Sequence, residues 1–406
     1  MQNTHVKNTV RYFLLVVVLL VFLFFSNDFG LLDVEKTAII TAVGVDRKED
    51  EFFITSQIAV PQPSKQGDSS KTVQLVSSGK TIAEAFERLN AKTGWYPKLV
   101  FCNLILLGKE TTENDVFDSL DFFLRNEYLS NDCLLAACDG DAKEVLDNAA
   151  LVDSTSSLAI EKVLSAHAER VGTVLPTTLR EFAIGYFSEG KSGYLPIVKA
   201  QPQQEKTPPQ TQTTATDEGQ SSNQDQQGNS GESADKQKPV FSAGETALFV
   251  GGKRVDTLTE TQTFALSAVI GKLRLAAYSV DTDGECCTLS IRQNSPKIKL
   301  TVNENGRASL SVDVTLSAGV TDYSKSQALE KIRDSGNLPD GVFYAAEKRL
   351  AAEIQSVFEK TRACNCDVFG IIDRANKYEK RSLQRFQSQL LKNTTLGVTV
   401  HFQKVR

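Results

Sequence analysis

One stretch of this 406-residue chain cannot take part in a folded core. Residues 201–240 consist almost entirely of Gln, Ser, Thr, Pro, Gly and charged residues. That composition cannot bury enough apolar surface to offset the entropy lost when the backbone is ordered. The sequence therefore predicts a disordered linker, with folded regions before and after it. A segment that folds on a partner is the alternative interpretation.

The amino terminus carries an unbroken apolar run at residues 12–25 (YFLLVVVLLVFLFF). His5, Lys7 and Arg11 precede it without an acidic residue, which predicts that the start lies on the cytoplasmic side of the membrane and the rest on the outer side. The run is shorter than the roughly 20 residues of a membrane-spanning helix, so neighbouring residues would extend it. We expect a cytoplasmic tip at 1–11 and a transmembrane anchor at 12–32.

A cleaved signal peptide is the competing interpretation of this run. Cleavage requires small residues near the end of the run, and the following SNDFGLLDVEK has no such triplet. A lipid-anchor site requires a cysteine there, and the first cysteine is Cys102. The pattern favours a retained single anchor over cleavage, and over a buried core helix.

Residues 33–200 alternate between strand and helix patterns. Residues 37–45 and 52–60 read as a hairpin of two strands, and residues 98–107 (KLVFCNLILL) as one buried strand. Thr81 with Glu84 three residues later predicts a helix start, and residues 114–125 predict another helix. The mixture indicates an α+β domain.

Residues 241–406 show the same mixture. Strands are predicted at 245–250, 253–256, 287–291, 297–302, 307–317 and 395–403, and helices at 259–272, 342–362, 368–378 and 382–391. We therefore expect a multi-lobed, mixed-sheet α+β ectodomain after one transmembrane helix. The carboxyl-terminal region could divide further into lobes at 241–280 and 281–406.

The charge balance and the motifs argue against several classes of function. With 45 basic and 50 acidic residues, the net charge of −5 gives no basic field for nucleic acid. Residues 251–254 (GGKR) lack the spacing of a phosphate loop, and residues 281–292 lack the Gly and Glu of a calcium loop. Residues 188–191 (SEGK) match S-x-x-K without its companion motifs. His167 stands alone as a candidate metal or catalytic histidine.

The seven cysteines do not form a disulfide or zinc pattern, because their number is odd and no C-x-x-C pair occurs. Cys102, Cys133 and Cys138 are expected to be buried free thiols. Cys364 and Cys366 could form a metal or redox pair, although no second pair lies near them in the sequence. We predict no catalytic, cofactor-binding or metal-binding residues, no cofactor, and a protein that is not an enzyme.

A series of short motifs in order resembles the Ger(x)C family, the C subunit of bacterial spore germinant receptors. Asp33 and Glu35 precede the first of them. The matching segments are residues 42–46 (AVGVD), 79–85 (GKTIAEA), 104–110 (LILLGKE), 120–126 (LDFFLRN), 193–197 (GYLPI), 244–249 (GETALF), 258–261 (LTET) and 367–370 (DVFG). In their order they are spread over nearly all of the chain beyond the anchor.

The chain departs from the family pattern in three places. It lacks the lipid-bearing cysteine that family members usually carry, so the retained anchor would replace the lipid. Cys102 and Asn103 stand where the family often has a histidine, and the late tryptophans are missing because Trp95 is the single Trp.

The resemblance implies a membrane protein with an extracytoplasmic carboxyl-terminal part at the spore inner membrane, which assembles with the receptor A and B subunits and relays the germination signal. Binding of a small-molecule germinant by this subunit is possible but not indicated. An anchored cell-envelope enzyme and a solute-binding ectodomain remain the alternatives.

Overall fold

The computed structural model of the protein describes residues 2–26, 37–60, 71–148, 153, 155–165, 172–201, 240–282, 285–303, 307–323, 340–378 and 389–405. The helices are α1 (Gln2–Ser26), α2 (Ile82–Thr93), α3 (Lys109–Glu113), α4 (Phe117–Arg125), α5 (Ala142–Asp147), α6 (Ser156–Leu164), α7 (Leu179–Phe187), α8 (Glu260–Ile270), α9 (Asp340–Ala363) and α10 (Ile371–Tyr378). The first seven strands are β1 (Thr37–Lys48), β2 (Glu51–Val60), β3 (Lys71–Gly79), β4 (Tyr96–Lys98), β5 (Leu104–Leu107), β6 (Leu134–Cys138) and β7 (Ser192–Gln201). The remaining strands are β8 (Val240–Val250), β9 (Lys253–Leu258), β10 (Ala277–Thr282), β11 (Glu285–Val302), β12 (Ala308–Tyr323) and β13 (Thr394–Lys404).

The larger sheet has the strand order β3-β2-β1-β5-β6-β7-β8-β9, with β4 pairing beside the start of β1. The strands β1 and β2 form the predicted hairpin, closed by the pair Lys48↔Glu51. The strands β4 and β5 both run parallel to β1, and β6 runs parallel to β5. Together with the second sheet, this mixture of parallel and antiparallel pairs confirms the predicted α+β class.

The central strands of the larger sheet are buried on both faces. Along β5, Ile105 and Leu107 pack with α2, α4 and α7, while Leu104 and Leu106 pack with α5 and α6. All four side chains are fully buried. This explains the unbroken apolar character of the strand, because a sheet covered by helices on both faces has no polar side.

Strands from both sides of the predicted linker join in this sheet. The strands β7 and β8 pair antiparallel from Ser192↔Val250 to Gln201↔Val240. The linker at 201–240 lies outside the described residues except for Gln201 and Val240, which end β7 and begin β8. The domain boundaries drawn on either side of it stay a prediction.

Side-chain caps fix the ends of the helices that cover the larger sheet. The Thr81 hydroxyl accepts a hydrogen bond from the Glu84 amide at the start of α2, as predicted, and Gly94 ends the helix with φ 69°. Capping boxes begin α7 at Thr178 and α8 at Thr259.

The second sheet has the order β10-β11-β12-β13 and is covered by α9. Alternate residues of β12, from Leu310 to Leu316, are buried, which confirms the alternation predicted for residues 307–317. The strand β13 runs parallel to β12. On α9, Leu350, Ile354 and Phe358 are buried against this core.

The structure describes the amino terminus as the helix α1. Its described side chains, residues 10–22, are all exposed. Within the described residues, no helix combines the length and the apolar character needed to cross a membrane. The predicted anchor at 12–32 extends beyond the described residues and stays a prediction.

Three predicted helices differ from the structure or fall outside it. The helix predicted at 114–125 is present as α4 but begins only at Phe117, because Asn114 is extended and the Asp115 carboxylate accepts from the Phe117 amide. The helix predicted at 368–378 begins only at Ile371, after Gly370 with φ 68°. The helix predicted at 382–391 lies mostly outside the described residues.

Candidate functional site

The residues that precede β5 form an unusual excursion beside the first strand. Ile39 pairs with Lys98 in β4, and Ala42 pairs with Leu104 in β5, so both short strands lie on the same side of β1. Ile39 and Ala42 are three residues apart on β1, but their partners Lys98 and Leu104 are six residues apart. Since the extra residues cannot stay in the ladder, they leave it.

Residues 99–102 form the turn that results, named here the apolar turn. The Cys102 amide donates a hydrogen bond to the Leu99 carbonyl at 3.0 Å. Leu99 and Cys102 are buried, but the two central residues are not: Val100 is 48% exposed and Phe101 is 58% exposed. Turns usually place Gly, Pro, Asn, Asp or Ser at such positions, so two exposed apolar residues indicate a surface with another purpose.

This corrects the single buried strand predicted for residues 98–107. Continuous apolar character was taken as burial along the whole run, and that holds only for β5. The length of the run could have indicated that it is not one strand, since ten residues are more than most strands contain.

A groove lies next to the apolar turn, between α2 and α4, and is named the α2–α4 groove. It encloses a cavity of about 230 Å³. A second cavity of about 480 Å³ continues from it and shares Ala83, Phe122 and Asn126. The residues that line the first cavity are Ala83, Phe86, Glu87, Asn90, Tyr96, Pro97, Leu99, Phe122 and Asn126.

Aromatic contacts hold the two walls of the groove together. Phe86 of α2 stacks on Phe122 of α4 with ring centroids 5.4 Å apart, and it meets Phe123 edge-on at 6.4 Å. Phe123 is fully buried below them. Aromatic pairs in these geometries fix the spacing of the helices, so the groove has a rigid apolar floor.

The polar groups of the groove stand at its rim. Glu87 and Asn90 come from α2, and Asn126 ends α4. In the continuing cavity, Asp121 is paired with Arg125 at 2.8 Å and Asp118 with Arg47 at 3.0 Å. The described lining contains no histidine or cysteine. The arrangement can bind apolar groups and orient them by hydrogen bonds at the rim.

The sequence did not reveal this groove. The sequence pattern did predict the helix α2 and its buried face, formed by Ile82, Ala85, Phe86 and Leu89. That pattern does not show that Phe122, on a different helix, leaves part of Phe86 facing a cavity.

The cysteine predictions can be compared with the structure directly. Cys102, Cys133 and Cys138 are buried free thiols, as predicted. Burial raises the pKa of Cys138 well above its ordinary value. Their surroundings give them no reactive role.

Cys364 and Cys366 are close enough for their thiols to hydrogen-bond to each other. The hydrogen bond from Cys366 lowers the pKa of Cys364 to about 7, while the same contact and burial raise the pKa of Cys366. Cys366 also points at the Phe249 carbonyl, 3.4 Å away. Among the described residues, no group of three or more His, Cys, Asp or Glu side chains could hold a metal ion.

The other sequence candidates occupy turns. Gly251 and Gly252 have positive φ in the turn between β8 and β9, where Gly252 lies against Asp115. Residues 188–191 connect α7 to β7, and residues 283–284 of the calcium-like segment lie outside the described residues. His167 also lies outside them.

Two buried carboxylates accept hydrogen bonds from the first amides of a helix. Asp46, at the end of β1, accepts from the Ala142 amide at 2.7 Å and the Lys143 amide at 3.0 Å, at the start of α5. Asp367 accepts from the Ile371 and Ile372 amides, both at 2.7 Å, at the start of α10. Burial raises the pKa of Asp46, and it raises the pKa of Asp367 to about 6.

Comparisons with known proteins match both halves of the chain. A family model described as "Spore germination protein N-terminal domain" matches residues 32–200, and one described as "Spore germination B3/ GerAC like, C-terminal" matches residues 244–405. Spore germination protein B3 of Bacillus subtilis (strain 168) is 23% identical over 336 residues, which are 81% of this chain and 79% of that protein. The crystal structure of the GerBC protein superposes with a TM-score of 0.50 at 16% identity, covering 90% of this chain and 97% of that one. This last likeness concerns the fold.

Proposed function

The chain belongs to the family of spore germination proteins with GerAC-like domains, and from this premise we propose that it is the C subunit of a nutrient germinant receptor. The observation that carries the proposal is the match of the amino-terminal and carboxyl-terminal family models, in order, over residues 32–200 and 244–405. The two matches include strands of both sheets.

The proposed role is assembly with the receptor A and B subunits and relay of the signal, without catalysis. The α2–α4 groove supports a contact role. Its two connected cavities, of about 230 and 480 Å³, have an apolar floor and polar groups at the rim, which can receive side chains of a protein partner.

The proposed location is the spore inner membrane, with one anchor at residues 12–32 and residues 33–406 on the extracytoplasmic side. The support is the apolar run after Arg11 and the exposure of residues 10–22. Apolar side chains exposed over that length are typical of a surface that contacts a membrane or a protein partner. In this organisation residues 201–240 link the domain at 33–200 to the region at 241–406.

Deletion of the gene is the first test. Spores without the protein should fail to germinate on nutrients and should still respond to calcium dipicolinate, which bypasses nutrient receptors. A tagged copy isolated from spore membranes should carry the A and B subunits with it. Normal nutrient germination in every deletion strain, or isolation of the tagged protein without either subunit, would reject the proposal.

A pair of variants on one helix tests the groove. Ala83 and Ala91 are both exposed on α2, but only Ala83 lines the two cavities. Glutamate is tolerated in exposed helix positions, so Ala83→Glu and Ala91→Glu should both fold. We expect only Ala83→Glu to lose the A and B subunits during isolation.

The same preparation separates the alternatives. Saturable binding of a nutrient by the purified protein, reduced in Ala83→Glu, would favour a solute-binding function. Hydrolysis of peptidoglycan by the purified protein would favour an envelope enzyme.

A further inference from the structure

We infer that the apolar turn, together with Tyr96, is a second membrane contact that lies in the headgroup region of the bilayer beside the anchor. This inference rests on the proposed membrane location. It adds a specific orientation, with the amino end of β1 and the excursion before β5 facing the lipid.

The position of the turn follows from the pairing of β1. Thr37, the first residue of β1, pairs with Tyr96. The ten residues 27–36 separate it from the last residue of α1, Ser26, so Thr37 is eleven steps from Ser26 and at most about 40 Å of extended chain can join them. The Asn103 amide donates to the Thr41 carbonyl at 3.0 Å, and Thr41 is only about 13 Å along the strand from Thr37.

The chemistry of these residues fits a lipid interface. Tyr96 is 47% exposed, and Val100 and Phe101 are exposed to a similar degree. The turn is closed by its own hydrogen bond and held by buried Leu99 and Cys102, so its exposed side chains are presented without further ordering of the backbone. Aromatic residues with a polar end are enriched at membrane interfaces, and apolar side chains enter the acyl boundary.

The charges around the turn limit how far it can insert. Lys98 lies between Tyr96 and the turn, and Lys92 is exposed in the last turn of α2. Both can reach anionic headgroups. After the turn, the side-chain amide of Asn103 lies 3.5 Å from the Glu161 carboxylate. Insertion therefore includes Val100 and Phe101 and stops before Asn103.

Two other exposed aromatic sites do not share these features. Tyr128 is 59% exposed, but it follows Glu127 and lies close in sequence to the exposed Asp132, and these charges disfavour lipid. Phe187 is 73% exposed at the end of α7, and its ring lies 5.3 Å from the ring of Phe117. Phe117 begins α4, which follows the end of β5, whereas the apolar turn comes before the start of β5. Phe187 is therefore associated with the opposite end of that strand.

The single tryptophan makes a direct test possible. In the full-length chain with Trp95→Phe, tryptophan is introduced either as Phe101→Trp or, as the matched control, as Phe187→Trp. Each protein is reconstituted into vesicles of phosphatidylcholine and phosphatidylglycerol, in which part of the phosphatidylcholine carries bromine near the headgroup. Brominated lipid quenches a tryptophan only when it comes into contact with it. Flotation of the vesicles shows in each case whether the protein is bound.

We expect both proteins to float, and the tryptophan at 101 to be quenched several-fold more than the tryptophan at 187. Equal quenching at the two positions in floating vesicles would overturn the inference while leaving the anchor intact. Proteins that do not float would overturn the proposed anchor and the inference with it.

A second measurement does not depend on the Trp95→Phe background. Trp95 precedes Tyr96 and is half-buried, so it reports on the same surface in the otherwise unchanged chain. Brominated lipid should quench Trp95, and Phe101→Asp should reduce that quenching. Quenching that is the same with and without Phe101→Asp would count against the membrane contact.

Discussion

Removal of the Asp46 carboxylate should destabilise the protein more than its position on a single strand suggests. Asp141, the residue at the amino-terminal cap of α5, makes no capping hydrogen bond there and pairs with Lys48 at 2.8 Å. Asp46 supplies the cap instead, with two bonds to the amides of Ala142 and Lys143. Asp46 itself is 4% exposed, so water cannot easily replace the lost acceptor.

The magnitude follows from these two bonds. A hydrogen bond to a charged group contributes about 1.5–3 kcal/mol, and the loss of a helix cap alone costs about 1 kcal/mol. The cost of burying the carboxylate, which raises the pKa of Asp46, offsets part of this. We expect Asp46→Ala to lower the free energy of unfolding by about 2–4 kcal/mol. Asp46→Asn keeps one acceptor oxygen and should lose about half as much.

Urea unfolding of the full-length protein in detergent, followed by Trp95 fluorescence, measures the effect. With an m-value of about 2 kcal/mol per molar urea, the midpoint should fall by about 1–2 M in Asp46→Ala. Asp50→Ala, in the exposed turn between β1 and β2, is the control and should stay within about 0.5 kcal/mol of the unchanged protein. An Asp46→Ala midpoint equal to the control would refute the capping role, and so would an Asn variant as weak as the Ala variant.

Three further predictions follow from other contacts. Gly108→Ala should cost a similar amount in the same urea assay, because its new Cβ would lie 2.0 Å from the Asp46 Oδ1 atom; unchanged stability would contradict this. Alkylation of Cys364 by iodoacetamide should be half-maximal near pH 7, the pKa set by the hydrogen bond from Cys366, and should disappear in Cys364→Ser; a midpoint above pH 8 would exclude this effect. Because burial raises the pKa of Asp367 from 3.8 to about 6, the folded protein holds that proton more tightly, so its stabilisation is present below pH 4 and lost as the pH rises through 6. The stability of the unchanged protein relative to Asp367→Asn should then fall by about 2–3 kcal/mol between pH 4 and pH 7, and a flat difference would contradict the shift.

Local patterns predicted the elements well where local chemistry decides them. The hairpin of β1 and β2, the cap at Thr81 and the alternation along β12 depend on residues close together in the chain. The helix predicted at 114–125 is present as α4, but its start was placed three residues too early. An extended Asn114 and the Asp115 carboxylate end one helix and start the next.

Pairing over long distances could not be predicted from the same patterns. The strands β7 and β8 lie side by side although residues 202–239 separate them. The residue pattern of neither strand indicates which strand it pairs with. The candidate site has the same origin. The apolar turn exists because β4 and β5 share one side of β1 with residues to spare, and the α2–α4 groove exists because two helices from different parts of the chain meet through Phe86 and Phe122.

The motifs that suggested the family explain the fold more than the function. In residues 42–46, Gly44 lies under α5, where an added Cβ would be 3.0 Å from Leu146, and Asp46 caps the same helix. In residues 367–370, Asp367 caps α10 in the same way. Both acidic motif residues therefore accept hydrogen bonds at the start of a helix, which is a structural role. What distinguishes one subunit of this fold from another should lie on exposed surfaces outside the motifs, and the apolar turn at residues 99–102 is such a surface. Its exposed residues, Val100 and Phe101, lie between two matched segments and belong to neither.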